Sequence, residues 1–177
     1  MKVETERLFI RPFQMTDASA VIALMADPEF MRWSVDGTLN PDQAKAKLNR
    51  YIDLQEARQF SKWAVLAKDD GSLVGYCGFG LIPVAGRLEP ELGYRLRHDV
   101  RGRGLATEAA RGVVTDAFVR LKMQFVQAFV DPKNNASLRV LDKLGMVYQR
   151  QIMQFEREWQ LYRLDRSAWR QSSLREL

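Results

Sequence analysis

The sequence predicts a single α/β domain with about seven strands and about four helices. Its 177 residues are the length of one domain that can bury a sizeable core. Short β-rich runs are interspersed with longer amphipathic runs of helical periodicity. The turn signal Asp69-Asp70-Gly71 separates two neighbouring β-rich runs and predicts a hairpin. One folded unit over residues 1–177 is therefore expected, with its core at about 6–166.

The first half of the chain carries strand signals at its two ends and helix signals between them. Asp17 stands at a helix start, and that helix is expected to end before Asp27 and Pro28. Pro41 occupies the first position of a longer helix, where proline is well tolerated. The predicted elements are a strand at 7–13, helices at 17–26 and 41–60, strands at 62–68 and 72–82, and a loop at 83–87.

The second half is organised around one helix with a regular apolar stripe. Its apolar residues recur three and four positions apart, with Glu108, Arg111 and Arg120 on the other side. The stripe consists of Ala106, Ala109, Ala110, Val113, Val114, Ala117, Phe118 and Leu121. The alanines indicate close packing against a sheet. The other predicted elements are a strand at 91–96, a strand at 124–130, a helix at 134–144, a hairpin at 146–155 and 159–164, and a polar tail at 170–177.

Composition and charge exclude several classes of protein. The formal net charge of +5 suits an anionic ligand but is too mild to indicate nucleic-acid binding. Cys77 is the only cysteine, so no internal disulfide or cysteine-based metal site is expected, and its apolar strand predicts a core thiol. The first residues lack a signal-peptide core, and no apolar run approaches the roughly 18 residues of a membrane span. The sequence predicts a cytoplasmic protein without a metal site.

Residues 101–107 are the most informative part of the chain, and we call them the pyrophosphate loop. Gly102 and Gly104 let the backbone turn sharply and approach a ligand closely. The first turn of the helix that follows presents unpaired N–H groups and the positive end of the helix dipole, which favour a phosphate. Two arginines add positive charge. The residues expected to hold a pyrophosphate are Arg101, Gly102, Arg103, Gly104, Leu105, Ala106 and Thr107.

Two other phosphate-binding motifs do not fit this loop. A P-loop requires Lys-Ser or Lys-Thr after the second glycine, and neither pair is present. A dinucleotide-binding fingerprint follows the first strand of a βαβ unit and requires a third glycine or an alanine at the position where Thr107 stands. It also requires an acidic residue about 20 residues further on, where Phe125 and its neighbours offer none.

Three patterns in order along the chain resemble one family. Read as R-x-x-G-x-A, the pyrophosphate loop resembles the acyl-CoA-binding motif of the GNAT superfamily of N-acyltransferases. Asn134 suits a helix N-cap and Gly145 a left-handed helix end, and this strand–Asn–helix–Lys-Leu-Gly segment resembles a second GNAT signature. The opening from Glu6 to Phe13, followed by Asp17, resembles the ribosomal-protein-acetylating branch, the RimJ/RimL type.

The resemblance implies a single N-acetyltransferase domain with the GNAT fold, in which helices flank a mixed, mostly antiparallel, twisted sheet. It implies that acetyl-CoA is the cosubstrate and that a primary amine accepts the acetyl group. In the family, the strand before the loop provides backbone hydrogen bonds to the pantetheine arm, and the corresponding residues here are Tyr94, Arg95 and Leu96. Asn134 is expected to contact the same arm.

Two residues are candidates for proton transfer. Glu91 lies where the family often places a carboxylate, and a carboxylate among apolar residues accepts an amine proton more readily. The alternative is that Glu91 or Glu89 pairs with Arg87 or Arg95 at the surface. Many relatives carry a tyrosine that protonates the thiolate, but its position here is Leu141. Ser137 is a better candidate than Tyr148 of the next strand, because the RimJ/RimL type has a serine there; its alternative role is a hydrogen bond to the helix backbone.

The sequence leaves the acceptor open. Trp33 is a candidate for its binding, although aromatic residues at such positions are more often part of the core. A protein N-terminus is favoured by the RimJ/RimL resemblance, and antibiotics, polyamines or amino acids remain alternatives. A non-catalytic acyl-CoA-binding module is a further alternative, because the tyrosine is missing. Nucleic acid is not expected as a partner, and neither is a membrane; monomer and homodimer both remain open.

Overall fold

The computed structural model describes residues 2–84 and 86–173, with side chains described as far as Gln171. The described residues form one open sheet of eight strands, in the order β1-β2-β3-β4-β5-β6-β8-β7. The strands are β1 Val3–Glu4, β2 Leu8–Arg11, β3 Lys62–Ala67, β4 Leu73–Val84, β5 Arg87–Leu96, β6 Phe125–Val130, β7 Val147–Gln154 and β8 Arg157–Asp165. The α-helices are α1 Ala18–Ala26, α2 Pro28–Met31, α3 Pro41–Arg58, α4 Leu105–Val119, α5 Asn135–Lys143 and α6 Arg166–Ser173.

All neighbouring strands are antiparallel except β5 and β6, which run parallel. This confirms the predicted α/β class and the mixed, mostly antiparallel sheet. The order of the strands follows the chain from β1 to β6, and β8 lies between β6 and β7. The connection from β5 to β6 passes through the pyrophosphate loop and α4, as a parallel pair requires a crossover.

Three described elements are not predicted from the sequence. The strand β1 has two residues, too few to show the alternation of apolar and polar residues by which a strand is recognised. The helix α2 is a single turn that begins at Pro28 and is capped by Asp27, whose side chain accepts a hydrogen bond from the N–H of Glu29. The helix α6 includes the start of the predicted tail and is held by Trp169, whose ring centroid lies 5.3 Å from that of Phe118. The rest of the predicted tail, 174–177, lies outside the described residues.

Local signals at the helix ends are confirmed. Asn40 caps α3 and Pro41 is its first residue. Asn134 caps α5, and its side-chain oxygen accepts a hydrogen bond from the N–H of Ser137 at 3.2 Å. Gly145 follows α5 with φ 74°, the left-handed conformation expected at this position.

The core consists of two clusters on opposite faces of the sheet, because successive strand residues point to opposite sides. One cluster packs α4 against the central strands and includes Cys77, which is fully buried. Burial raises the pKa of the Cys77 thiol to about 12, so it behaves as the predicted core thiol. The other cluster packs helices α1–α3 against Ala64 and Tyr76. The stripe of α4 begins at Leu105 rather than Ala106, which is only half-buried.

The strands β5 and β6 diverge along their length. The candidate site lies in the gap between them. β5 pairs with β4 over its whole length, from Arg87 to Leu96. Its parallel pairing with β6 is recorded at one register position, Glu91 opposite Gln127. Beyond that position, the β6-facing backbone of residues 94–96 has no strand partner among the described residues. Backbone donors and acceptors at this edge of β5 are therefore available to a ligand.

Candidate active site

A cleft of about 1190 Å³ opens where β5 and β6 separate. The start of α4 and the start of α5 border one part of it, which we call the donor half. Residues from α3, the segment after α2, and the end of β7 border another part, which we call the acceptor half. Glu91 lines the same cleft. A ligand at the pyrophosphate loop and a ligand near α3 would therefore share one space.

The pyrophosphate loop has the predicted backbone geometry. Gly102 and Gly104 adopt φ values of 78° and 80°, in the left-handed region that favours glycine. Gly104 is the N-cap of α4, and no side chain caps this helix. The N–H groups of its first turn are therefore available to an anion. Of the predicted loop residues, the cleft is lined by Arg101, Gly102, Gly104, Leu105, Ala106 and Thr107.

The two arginines of the loop are placed differently. The guanidinium of Arg101 donates hydrogen bonds to the carbonyl oxygens of Leu96 at 3.1 Å and Glu29 at 2.8 Å. It therefore ties the end of β5 to α2 while lining the cleft. The side chain of Arg103 is exposed, and Arg103 is not among the residues that line the cleft.

An ion-pair network from the segment between β1 and β2 supports the loop, and the sequence did not single it out. Arg7 donates from Nε to Glu108 Oε2 at 2.7 Å and from its guanidinium to the carbonyl oxygen of Arg103 at 2.9 Å. Thr5 donates its hydroxyl to Glu108 Oε1 at 2.6 Å. Burial raises the pKa of the Glu108 carboxyl, but the hydrogen bonds from Thr5 and Arg7 outweigh it, and the pKa lies below its usual value.

The three predicted residues of β5 all line the cleft. Tyr94 points toward α5, and its hydroxyl donates to the carbonyl oxygen of Ser137 at 3.3 Å. Burial raises the pKa of the Tyr94 phenol, which therefore keeps its proton at neutral pH. Arg95 points to the opposite face, where its guanidinium lies 5.7 Å from the ring centroid of Phe30 and 5.6 Å from that of Tyr76. Leu96 is buried at the end of the strand.

The start of α5 faces the donor half of the cleft. Asn134 and Ser137 both line it, and Ser137 lies one turn before Leu141. Leu141 is 1% exposed and packs in the core cluster that contains α4. An apolar side chain thus stands where many relatives carry the tyrosine, and Ser137 is the hydroxyl-bearing residue of α5 at the cleft.

Glu91 is paired, but with a residue that the sequence did not single out. Its carboxylate Oε2 lies 2.8 Å from Nζ of Lys62, the first residue of β3. The predicted alternatives, Arg87 and Arg95, form no ion pair with it among the described residues. Glu89 instead accepts a hydrogen bond from the side chain of Gln127. The register that brings Lys62 opposite β4, and β4 opposite β5, is a property of the whole sheet and leaves no local sequence signal.

Aromatic side chains border the acceptor half. Trp33 lines the cleft after α2, half-buried, with the guanidinium of Arg32 5.4 Å from its ring centroid. Tyr51 of α3 and Trp159 of β8 line other walls. Aromatic side chains thus line several walls of this half, and the contact of Trp33 with an acceptor stays a prediction.

Comparison with known proteins identifies the family. A model of the acetyltransferase (GNAT) domain matches residues 7–147, most of the chain. The chain belongs to the GNAT acetyltransferase family. Its fold is accordingly the single-domain GNAT fold that the three sequence patterns implied, and it is an N-acetyltransferase of this type. The family uses acetyl-CoA.

Named GNAT relatives cover most of the chain. An uncharacterised N-acetyltransferase, p20, of Bacillus licheniformis is 27% identical over 155 residues, covering 86% of each chain. The crystal structure of an acetyltransferase from Agrobacterium tumefaciens strain C58 superposes with a TM-score of 0.80 at 26% identity, covering 93% of this chain and 94% of that one. A RimL ribosomal L7/L12 alpha-N-protein acetyltransferase in complex with coenzyme A gives 0.82 at 14% identity, covering 95% and 99%. At that identity the last likeness concerns the fold alone.

Two features are absent from the described residues. No helix in this part of the chain is long and apolar enough to cross a bilayer. Within residues 2–84 and 86–173, no group of three or more histidine, cysteine, aspartate or glutamate side chains is placed to hold a metal ion.

Proposed function

We propose that this GNAT acetyltransferase moves an acetyl group from acetyl-CoA directly to a primary amine, and that the amine is the N-terminal α-amino group of a protein. The observation that carries the proposal is the single cleft that joins the pyrophosphate loop to Glu91. Direct transfer requires both substrates in one space, with their reacting groups in contact. The donor half suits an acetyl-CoA molecule, and the acceptor half leaves room for an amine beside the carboxylate.

Binding of acetyl-CoA is proposed to use backbone groups more than side chains. The pyrophosphate would meet the uncapped first turn of α4, where N–H groups and the helix dipole favour an anion. The pantetheine arm would follow the free edge of β5 along residues 94–96. Asn134, at the start of α5, would contact the same arm from the other side of the cleft.

Glu91 is proposed as the general base. The acceptor nitrogen must lose a proton as it attacks the thioester carbonyl, and a carboxylate within hydrogen-bond reach, directly or through one water, can accept it. Glu91 lines the same cleft as the pyrophosphate loop, and its side chain is 18% exposed, so it is accessible but partly shielded from bulk water. The nitrogen forms a bond to the acetyl carbon, the carbon–sulfur bond breaks, and the thiolate leaves.

Ser137 is proposed to stabilise the leaving thiolate. Leu141 has no proton to donate, and Tyr148, a tyrosine of the following strand, is not among the residues that line the cleft. Ser137 lines the donor half at the first turn of α5. Its backbone carbonyl already accepts a hydrogen bond from Tyr94, which fixes the position of this turn against β5. The hydroxyl can then donate toward the sulfur.

Replacement of Ser137 by alanine is expected to lower kcat roughly tenfold to a hundredfold, because a positioned donor to the leaving group is lost. The thiolate of coenzyme A leaves fairly readily, so the loss should be partial. The measurement is steady-state turnover at saturating acetyl-CoA, together with the dissociation constant for acetyl-CoA. Ser19→Ala, also in a helix first turn but exposed, is the matched control. Wild-type turnover in a folded Ser137→Ala enzyme would assign thiolate protonation to water.

Replacement of Arg7 by alanine is expected to raise the dissociation constant for acetyl-CoA roughly three- to tenfold, the worth of one charge-assisted hydrogen bond at a half-exposed site. The physical reason is that Arg7 holds both Glu108 and the carbonyl oxygen of Arg103. Calorimetric titration measures the change. Arg120→Ala removes a comparable arginine–carboxylate pair on α4, with Asp116, outside the cleft. Equal affinities in the two variants would contradict a role for Arg7 in the loop.

The proposal of a protein N-terminus rests on the opening segment, Glu6 to Phe13, which resembles the RimJ/RimL type. The test offers one peptide in two forms, with a free and with a formylated N-terminus, beside polyamines, amino acids and amine-bearing antibiotics. We expect acetylation of the free peptide and none at the N-terminus of the blocked one. If a small amine were acetylated faster than the free peptide, the acceptor would be a small molecule and not a protein N-terminus.

A non-catalytic acyl-CoA-binding module is the second candidate, because the tyrosine of many relatives is replaced by Leu141. Such a module would bind acetyl-CoA without turnover of any amine. Glu91 argues against it, since simple binding of an anionic cosubstrate gives no reason to line the cleft with this carboxylate.

A further inference from the structure

Lys62 is a buried lysine that reaches the cleft beside the proposed base. Its side chain is 11% exposed. Its ammonium donates to Glu91 Oε2 at 2.8 Å, to the carbonyl oxygen of Glu91 at 3.1 Å and to the carbonyl oxygen of Gly78 at 3.2 Å. All three ammonium protons thus have acceptors. A buried charge costs free energy unless it is paired, and here the pairing is complete.

Glycines stand at the sheet positions that the side chain of Lys62 passes before it reaches Glu91. Lys62 pairs in register with Gly78 of β4, and Gly78 pairs with Gly93 of β5. The side chain crosses above this row to reach Glu91. A Cβ at Gly93 would overlap the ammonium of Lys62, whereas one at Gly80 would make ordinary contacts at 3.5 Å or more. A side chain at position 93 is therefore incompatible with the Lys62–Glu91 pair as it stands.

We propose that Lys62 is a positioning residue for Glu91: its ammonium fixes Oε2 of the carboxylate and leaves Oε1 to receive the proton of the acceptor. This deepens the proposed function and rests on it. In the transfer step, the proton passes from the acceptor nitrogen to Oε1, directly or through a water. No bond of Lys62 forms or breaks.

The other ionisable groups facing this part of the cleft do not replace Lys62. Burial raises the pKa values of Tyr51, Tyr76 and Cys77, so these groups are neutral near pH 7. Asp36 is paired with Lys47. Arg95 stays charged but lies against Phe30 and Tyr76 and forms no ion pair with Glu91 among the described residues. Arg50 and Asp53 are exposed on α3.

The test is the pH dependence of kcat/KM in the full-length enzyme with Lys62→Met. Without the ammonium beside the Glu91 carboxylate, the acid limb of the profile should move up by about one pH unit or more. The thermal stabilisation by acetyl-CoA should be unchanged. Lys68→Met is the matched control, since Lys68 lies just after β3 and pairs with Glu4 outside the cleft. Its profile should equal that of the wild type.

A second variant, Gly93→Ala, displaces the ammonium without removing it. It takes the place of Lys62→Met in the test if that variant fails to fold. It should move the acid limb in the same direction. A folded Lys62→Met or Gly93→Ala enzyme with a wild-type acid limb would overturn the proposal.

Failure of the proposed function is separable from failure of this inference. If Glu91→Gln keeps the wild-type acid limb, Glu91 is not the base, and the proposed role of Lys62 is refuted as well. If Glu91→Gln abolishes the limb while Lys62→Met and Gly93→Ala retain it, the base assignment stands and only the positioning role is refuted.

Discussion

Replacement of Glu91 by glutamine is expected to lower kcat by about 10²–10⁴, the usual worth of general-base assistance. Glutamine keeps the size of the side chain and can still accept a hydrogen bond from Lys62, but it cannot take a proton from the amine. The dissociation constant for acetyl-CoA should stay near the wild-type value, because Glu91 lies outside the pyrophosphate loop. Single-turnover acetylation over a range of pH, with calorimetric binding, measures both effects.

Glu89→Gln is the matched control for this prediction. Glu89 lies on the same strand, is not among the cleft-lining residues, and accepts a hydrogen bond from Gln127. Turnover should remain close to the wild-type rate. Near-normal turnover in Glu91→Gln, with the acid limb retained, would leave Glu91 as the structural partner of Lys62 and require another base.

Replacement of Gly104 by aspartate is expected to abolish the stabilisation of the fold by acetyl-CoA. A ligand at a hundredfold excess over its dissociation constant stabilises the wild type by about 2.7 kcal/mol. Aspartate at this N-cap would place a negative charge where the pyrophosphate is proposed to bind, and its carboxylate would occupy the N–H groups of the first turn. Thermal unfolding with and without acetyl-CoA measures the loss.

Gly71→Asp separates loss of binding from backbone strain. Gly71 has φ 71°, close to the 80° of Gly104, and nothing lies within 4 Å of an added Cβ. Gly71 lies in the β3–β4 turn, outside the cleft, so this variant should keep the full acetyl-CoA stabilisation despite similar strain. An undiminished thermal shift in a folded Gly104→Asp protein would refute the pyrophosphate loop.

The parts of the site that follow from local chemistry could be predicted from the sequence. Gly102 and Gly104 indicated a sharp turn before a helix, and both have positive φ. Asn134 was predicted as an N-cap and accepts a hydrogen bond from the N–H of Ser137. Such features depend on residues within a few positions of one another, where propensity and spacing carry the information.

Contacts between distant parts of the chain could not be predicted in this way. The Lys62–Glu91 pair depends on the register of three strands, and one shifted residue would turn Lys62 to the other face. The contact of Arg7 with Glu108 joins residues 101 positions apart. Nothing in the local sequence distinguishes either cation from an ordinary solvated one, and the structure places both beside the cleft.

Amine-dependent release of the coenzyme A thiol by the wild-type protein tests the central proposal most directly. Acetyl-CoA is incubated with the enzyme and each member of a panel of peptides and small amines, and the free thiol and the acetylated amine are quantified together. We predict that at least one primary amine raises thiol release above the hydrolysis background, with one acetylated amine formed for each thiol released. Acetyl-CoA binding with no amine-dependent release across the panel would contradict catalysis and leave an acyl-CoA-binding module.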